Sequence, residues 1–198
     1  MENQMTFKQY RAIDLAIFSV LTAIFEGITT FATTRWFAAQ PVAISITLTL
    51  MLIVMHRWGI YSAITAIVGG AAFCIASGAS AEQFLIYCGG NLFALVSLLY
   101  FKKFDKEEVR GSFPKTLLLA STSYVAMAIG RWLISLPFGA GRAELVAFIL
   151  TDLISLLFAV LILWSIRAVD GLTEDQKRYI LRINEEKKEA LQMDEDDE

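Results

Sequence analysis

The feature that most constrains this chain is a series of long segments without a charged side chain. The segments cover residues 36–55, 58–81, 83–101, 116–130 and 153–166. A helix needs about 20 mostly apolar residues to cross about 30 Å of hydrocarbon. A soluble helical bundle would instead carry charged outer faces at helical spacing, which these segments lack. We therefore predict an all-α integral membrane protein.

The composition agrees with this class and excludes several others. Apolar residues make up 56% of the 198 residues and charged residues 19%, and the mean hydropathy is +0.55. Such a chain is too apolar to be disordered, and two cysteines cannot build a disulfide scaffold. The formal net charge of -3 provides no basic surplus for neutralising phosphates, so we expect no nucleic-acid partner.

The pattern predicts six transmembrane helices, at residues 12–30, 41–55, 59–77, 82–101, 115–136 and 143–166. Basic residues near the ends of transmembrane helices mark the cytoplasmic side. All of the 17 Lys and Arg residues lie on one side of this topology except Arg35, Arg131 and Arg142. We therefore expect both termini in the cytoplasm and a multi-pass protein surrounded by membrane lipid.

The last part of the chain differs in composition and divides the prediction into two domains. Residues 1–169 would form the six-helix membrane domain, and residues 170–198 a cytoplasmic amphipathic helix with an acidic tail. Thr173 and Gln176 have the spacing of a capping box that would open this helix. One stripe of it would hold Leu172, Tyr179, Ile180, Ile183 and Leu191. The helix is either simply solvated or docks to a cytoplasmic partner.

The sequence contains no motif that predicts catalysis or metal binding. His56 is the only histidine, and Cys74 and Cys88 lack the spacing of metal ligands. No Walker A loop, nucleophile elbow or zinc-protease motif is present. We expect no enzymatic activity, no metal and no cofactor, so ATP-driven work would require other subunits.

The unusual polar residues of the predicted membrane helices lie at one depth, near the outer side. An ionisable group inside a membrane is costly and commonly marks a functional site. The predicted substrate-binding residues are Glu26, Arg35, Trp36, Tyr87, Asn91, Arg131, Trp132 and Asp152. Two acids, two bases, an amide and aromatic faces suit a small polar ligand with a flat ring. The alternative is an internal salt-bridge network, such as Arg131 with Asp152 or Glu26.

Small residues suggest a second surface at the cytoplasmic end of the first helix. Ala12 and Ala16 form an AxxxA pair, and such small-xxx-small spacing lets another helix approach closely. Asp14 lies between the two alanines and would have to face away from a partner or meet a cation.

These features together resemble the substrate-binding S component of energy-coupling factor (ECF) vitamin transporters. The resemblance lies in the length, the six helices, the AxxxA pair near the start of helix 1, and the outer-half polar residues. The stretch 33–37, TTRWF, occupies the place of the loop that caps the ligand in that family. The resemblance implies capture of a vitamin-like ligand at a prokaryotic plasma membrane. It also implies docking of Ala12 and Ala16 to a transmembrane coupling subunit, with two ATPase subunits supplying the energy.

Other function classes remain open at this point. A stand-alone small secondary transporter would need a polar path through both halves of the bilayer, and the inner halves here are apolar. A membrane enzyme would need a nucleophile, a base or a metal set in one cavity, and a membrane scaffold would need no outer pocket.

Overall fold

The computed structural model describes residues 6–36 and 43–196, and their side chains as far as residue 186. The described chain is helical throughout, with short connections. Its helices are α1 (Phe7–Trp36), α2 (Thr47–Trp58), α3 (Ser62–Ser77), α4 (Ala81–Lys103), α5 (Lys106–Gly111), α6 (Phe113–Ser135), α7 (Arg142–Thr151), α8 (Leu153–Ile166) and α9 (Gln176–Asp196).

Five helical stretches are long and apolar enough to cross a membrane: Phe7–Trp36, Thr47–Ser77, Ala81–Lys103, Phe113–Phe138 and Arg142–Ile166. Many large apolar side chains on their outer surfaces are exposed, among them Ile24, Ile28 and Leu161. In water such a surface would aggregate, whereas lipid accepts it without cost. The all-α membrane class is therefore confirmed, while the count of six transmembrane helices stays a prediction.

The difference between the five apolar stretches and the six predicted transmembrane helices lies in the stretch Thr47–Ser77, which contains α2 and α3. The chain turns between them at Gly59, whose φ of +59° lies in the left-handed region that favours glycine. Beyond the turn the two helices run back along each other, because Thr47 at the start of α2 packs directly against Gly69 of α3. The predicted second transmembrane helix began at residue 41, but α2 begins only at Thr47 and so has 12 residues.

Two carboxylates of α1 hold α2 at its two ends. Glu26 accepts hydrogen bonds from the start of α2, including one from the Thr47 backbone N–H at 3.0 Å. Asp14 pairs with Arg57 at the end of α2, with Oδ1 2.7 Å from Nη2 and Oδ2 2.9 Å from Nε. Asp14 also accepts from the indole N–H of Trp58. Asp14 was expected either to face away from a partner or to meet a cation, and Arg57 of the same chain is that cation.

Two of the other apolar stretches, Ala81–Lys103 and Arg142–Ile166, are not regular α-helices throughout. Within α4 the segment Leu85–Gly89 is a π-helical turn, and Leu92–Leu99 is wound as a 3-10 helix. A second interruption separates α7 from α8 at Asp152. The segment 43–45 packs against this interruption, since the Ala43 N–H donates to the Thr151 carbonyl at 3.0 Å. π-helical turns inside α-helices are frequent at functional sites.

The start of the C-terminal helix differs from the sequence prediction. The helix α9 begins at Gln176, so Thr173 lies outside it and forms no capping box. Asp175 caps the helix instead, with Oδ1 accepting from the Lys177 and Arg178 backbone N–H groups at 3.1 and 3.4 Å. Gln176 is fully buried because its side chain bonds other parts of the protein.

Candidate functional site

The site is built around Glu26, which is almost completely buried in the middle of α1. Its Oε2 atom accepts four hydrogen bonds, from the Ser45 and Thr47 hydroxyls and from the Ile46 and Thr47 backbone N–H groups, at 2.8 to 3.0 Å. The free N–H groups of a helix start favour a negative charge there. Glu26 therefore caps α2, while its Oε1 atom has only a long contact of 3.5 Å with the Thr30 hydroxyl.

Opposite Glu26, Arg131 of α6 brings together three other elements. Its Nη1 donates to Asp152 at the interruption between α7 and α8. Its Nε donates to Asn91 Oδ1 of α4 at 3.0 Å, and Asn91 Nδ2 donates to the Ala66 carbonyl of α3 at 3.1 Å. Arg131, Asp152 and Asn91 are all buried. The internal salt bridge that the sequence analysis gave as the alternative is thus present. Burial makes an unpaired charge very costly, so Arg131 and Asp152 stabilise each other as a pair.

Aromatic rings form the wall beside this ion pair. The guanidinium carbon of Arg131 lies 4.7 Å from the centre of the Tyr87 ring, which is a cation–π distance. Phe73 of α3 packs on the other side, with its ring centre 4.4 Å from that of Tyr87. Tyr87 lies in the π-helical turn, which therefore determines where its ring points.

Two glycines allow this close packing. A Cβ atom on Gly90 would lie 2.5 Å from the Cγ atom of Arg131, and one on Gly70 would lie 2.9 Å from the Cys88 backbone nitrogen. Both distances are far below ordinary van der Waals contact, so only glycine lets α4 approach α6 and α3 so closely.

A small cavity of about 10 Å³ remains among these side chains. Its walls are Glu26, Ser45, Thr47, Gly69, Gly70, Phe73, Tyr87, Asn91, Arg131 and Asp152. Pockets for drug-sized ligands commonly have about 300–1,000 Å³. The space therefore has room for about one water molecule, and an organic ligand would require the helices to move apart.

Polar atoms facing this cavity have unused bonding capacity. Within the described residues, neither the Tyr87 hydroxyl nor Asp152 Oδ1 has a hydrogen-bond partner in the chain. A hydroxyl can donate and accept, and a carboxylate oxygen can accept up to two bonds. A polar ligand admitted by a movement of the helices could bond both atoms without breaking the Arg131–Asp152 pair.

Five of the eight predicted substrate-binding residues therefore meet at one cavity: Glu26, Tyr87, Asn91, Arg131 and Asp152. The other three lie elsewhere. Trp132 points away from Arg131, and its indole N–H donates to the Gly141 carbonyl at 2.9 Å. Arg35 stacks on Phe31, and Trp36 is 77% exposed at the end of α1. The prediction of a capping loop at residues 33–37 is wrong for residues 33–36, because α1 continues through them to Trp36, and residue 37 lies outside the described residues.

The sequence did not predict five further residues that line the cavity, namely Ser45, Thr47, Gly69, Gly70 and Phe73. The paired glycines at 69 and 70 were the only signal, since they indicate a close helix contact without naming its partner. Ser45 and Thr47 carry no such signal, because small hydroxyl side chains are common in membrane helices.

The two alanines of the AxxxA pair, Ala12 and Ala16, are exposed on α1. Asp14 between them turns inward to Arg57, so the motif presents a small-residue surface without a free charge. Along α1, Asp14 lies about 18 Å from Glu26. The alanine pair thus lies near the start of α1, and the cavity lies about three turns further along the same helix.

Comparison with known proteins adds no assignment to this picture. No family model, curated protein or solved structure matches the chain. Within residues 6–36 and 43–196, no group of three or more His, Cys, Asp or Glu side chains is arranged to hold a metal ion. Function therefore has to be argued from the site itself.

Proposed function

We propose that this protein is the substrate-binding S component of an ECF-type importer, which captures a vitamin-like molecule outside a prokaryotic cell. The observation that carries the proposal is the cavity between Glu26 and Arg131, with its unused polar atoms and its aromatic wall. The proposed ligand is a small polar molecule with one flat ring, which would enter when the helices move apart, stack near Tyr87, and bond the Tyr87 hydroxyl and Asp152.

A purely structural role for the ion pair explains less of this arrangement. Two charges that only hold helices together need no irregular backbone. Here Tyr87 lies in a π-helical turn and Asp152 in a helix interruption. Interrupted membrane helices commonly surround binding sites, because they expose polar groups to a ligand in the middle of the membrane.

In this proposal α2 and α3 each cross the membrane, which gives six passes and places both termini on the same side. The contacts that support it are those at the Asp14 end of α1. The segment after α8 bonds both Arg57 and the basic residues that follow α4 there. These segments carry most of the Lys and Arg residues, so the positive-inside rule places this end in the cytoplasm. The cavity then lies in the outer half.

The coupling partner is proposed to dock on α1 at Ala12 and Ala16. Small side chains permit the close approach of a second helix. The exposed alanines lie at the proposed cytoplasmic end, where a transmembrane coupling subunit and its two ATPase subunits would act. ATP would be used by those subunits, and this chain would contribute binding only.

The first test is purification in mild detergent without added ligand, followed by native mass spectrometry and identification of released small molecules. We expect about one small molecule of discrete mass per chain. An empty protein whose melting temperature is also unchanged by a panel of vitamins would contradict the proposal, since tight binding to the folded state must stabilise it.

The site is tested by Tyr87→Phe, which removes only a hydroxyl that bonds nothing in the described chain. We expect an affinity loss of about tenfold, because a lost hydrogen bond costs about 1.5 kcal/mol. Arg131→Ala is less informative, since it would leave Asp152 unpaired in the interior. Tyr61→Phe is the matched control, because Tyr61 stacks with Arg11 at the other end of the protein. Equal affinities in both tyrosine variants would exclude the proposed ligand position.

A further inference from the structure

Residues 170–182, here called the strap, lie across the end of the bundle that contains Asp14. The strap begins after α8 and includes the first two turns of α9. The Gly171 carbonyl accepts from Arg57 Nη1, and the Leu172 carbonyl accepts from the same atom at 3.2 Å. The strap therefore holds the cation that pairs with Asp14.

The strap has its own folded structure. Gly171 has a φ of +68°, and a Cβ atom there would lie 2.7 Å from Cζ of Tyr179. Gln176 is fully buried, with Nε2 donating to the Gly171 carbonyl at 2.6 Å. The Gln176 Oε1 atom accepts from the Tyr10 hydroxyl of α1 at 3.1 Å. These internal bonds distinguish the strap from a solvated tail.

Charged side chains connect the strap to α5. Three ion pairs do so: Arg110–Glu174 at 2.7 Å, Lys106–Asp175 at 2.5 Å and Asp105–Arg178 at 2.7 Å. Glu174 is mostly buried, and Asp105 and Arg178 are exposed. The hydrogen bond from Arg178 lowers the pKa of the Asp105 carboxyl. Several pairs in one network hold better than an isolated surface pair.

From these contacts we propose that the strap is an ion-controlled latch that fixes the Asp14 end of α1 to α5. It bonds α1 through Tyr10, α2 through Arg57 and α5 through three ion pairs. When the ion pairs to α5 break, the strap detaches from the end of the bundle, and Arg57 loses its two carbonyl partners, Gly171 and Leu172. The first turns of α1 then lose the hydrogen bond between Tyr10 and Gln176. Asp14 is left paired with an Arg57 that the strap no longer holds in place.

The latch is independent of what the cavity binds. Its expected behaviour follows from the charges alone: higher salt screens the exposed pairs and favours the open form. Because α1 also carries Glu26 in the cavity wall, the latch contacts the start of the same helix whose middle belongs to the binding site.

The test is hydrogen exchange measured by mass spectrometry on the full chain in nanodiscs. Arg110→Glu turns an attraction to Glu174 into a repulsion, and we expect about tenfold faster exchange in peptides covering residues 171–182. Exchange in residues 7–18 of α1 should rise with it. The charge-swapped variant Arg110→Glu/Glu174→Arg should restore slow exchange, and Lys103→Glu, an exposed position on the neighbouring helix end, is the matched control.

The proposal is overturned if Arg110→Glu and Lys103→Glu exchange alike, or if the charge swap exchanges as fast as Arg110→Glu. Unchanged exchange in α1 while the strap opens would equally refute the latch. The wild-type chain gives a second measurement that needs no variant. Raising the salt to about 1 M, where the Debye length is about 3 Å, should speed exchange in the strap, and a salt-independent rate would count against ionic control.

Discussion

Replacing Glu26 by Gln tests the central packing argument of this protein most directly. The substitution preserves size and removes only the negative charge and one acceptor oxygen. In the wild-type chain Oε2 accepts four hydrogen bonds, two of them from backbone N–H groups at the start of α2. A Gln carbonyl oxygen carries no charge, and hydrogen bonds to a charged acceptor are about twice as strong as neutral ones, so all four bonds would weaken.

The expected loss of stability follows from these bonds. A hydrogen bond to a charged group contributes about 1.5–3 kcal/mol and a neutral one about 0.5–1.5 kcal/mol, so the weakening of four bonds costs about 4 kcal/mol. Relief from burying a charge offsets part of this cost. We therefore expect Glu26→Gln to lower the free energy of unfolding by about 3 kcal/mol, which for a chain of this size corresponds to about 6–12 °C in melting temperature.

The assay is thermal unfolding in detergent, followed by helical circular dichroism, with Glu144→Gln as the matched control. Glu144 also accepts a backbone N–H at a helix start, from Gly141 at 2.7 Å, but it is exposed to the surroundings. Water can replace the lost bond there, so we expect a decrease of only about 0.5 kcal/mol. If Glu26→Gln melts as high as Glu144→Gln, the carboxylate does not hold α2 and the reasoning fails.

Two further predictions concern helix contacts. Gly90→Ala should destabilise the protein by about 3 kcal/mol, because its Cβ would overlap the Arg131 backbone and side chain. The control Gly27→Ala, whose Cβ would have no atom within 4 Å, should stabilise α1 by up to about 1 kcal/mol. Melting temperatures that fall equally in both variants would contradict this prediction. Ala16→Trp should prevent co-purification with a coupling subunit without changing ligand affinity. The control Ala147→Trp, at another exposed position on α7, should leave the complex intact. A complex that still forms with Ala16→Trp would refute docking at α1.

Much of the architecture follows from local sequence. Long uncharged segments can form membrane helices whatever their neighbours are, since every backbone group is satisfied within a helix. The same reasoning placed Glu26, Arg131 and Asp152 at one depth, and these three do meet at the cavity. Tyr87 and Asn91 followed because they lie one turn apart on the same predicted helix.

Other features depended on contacts between distant parts of the chain. The length of α2 is determined by Glu26, which captures its first N–H groups at Thr47 rather than at residue 41. Trp132 follows Arg131 directly, yet it points away, because neighbouring residues on a helix face different directions. No local pattern distinguishes these outcomes from their alternatives.

The C-terminal segment shows the same division most clearly. Its composition predicted a helix after the last apolar segment, and α9 is that helix. The position of its cap, at Asp175 instead of Thr173, was decided by tertiary contacts, since Gln176 turns inward to bond Tyr10 and Gly171. Sequence alone therefore determined which segments become helices, because hydropathy and helix formation are local properties. Only the tertiary structure decided which charges pair, because a buried charge takes the partner that the packed helices bring within reach.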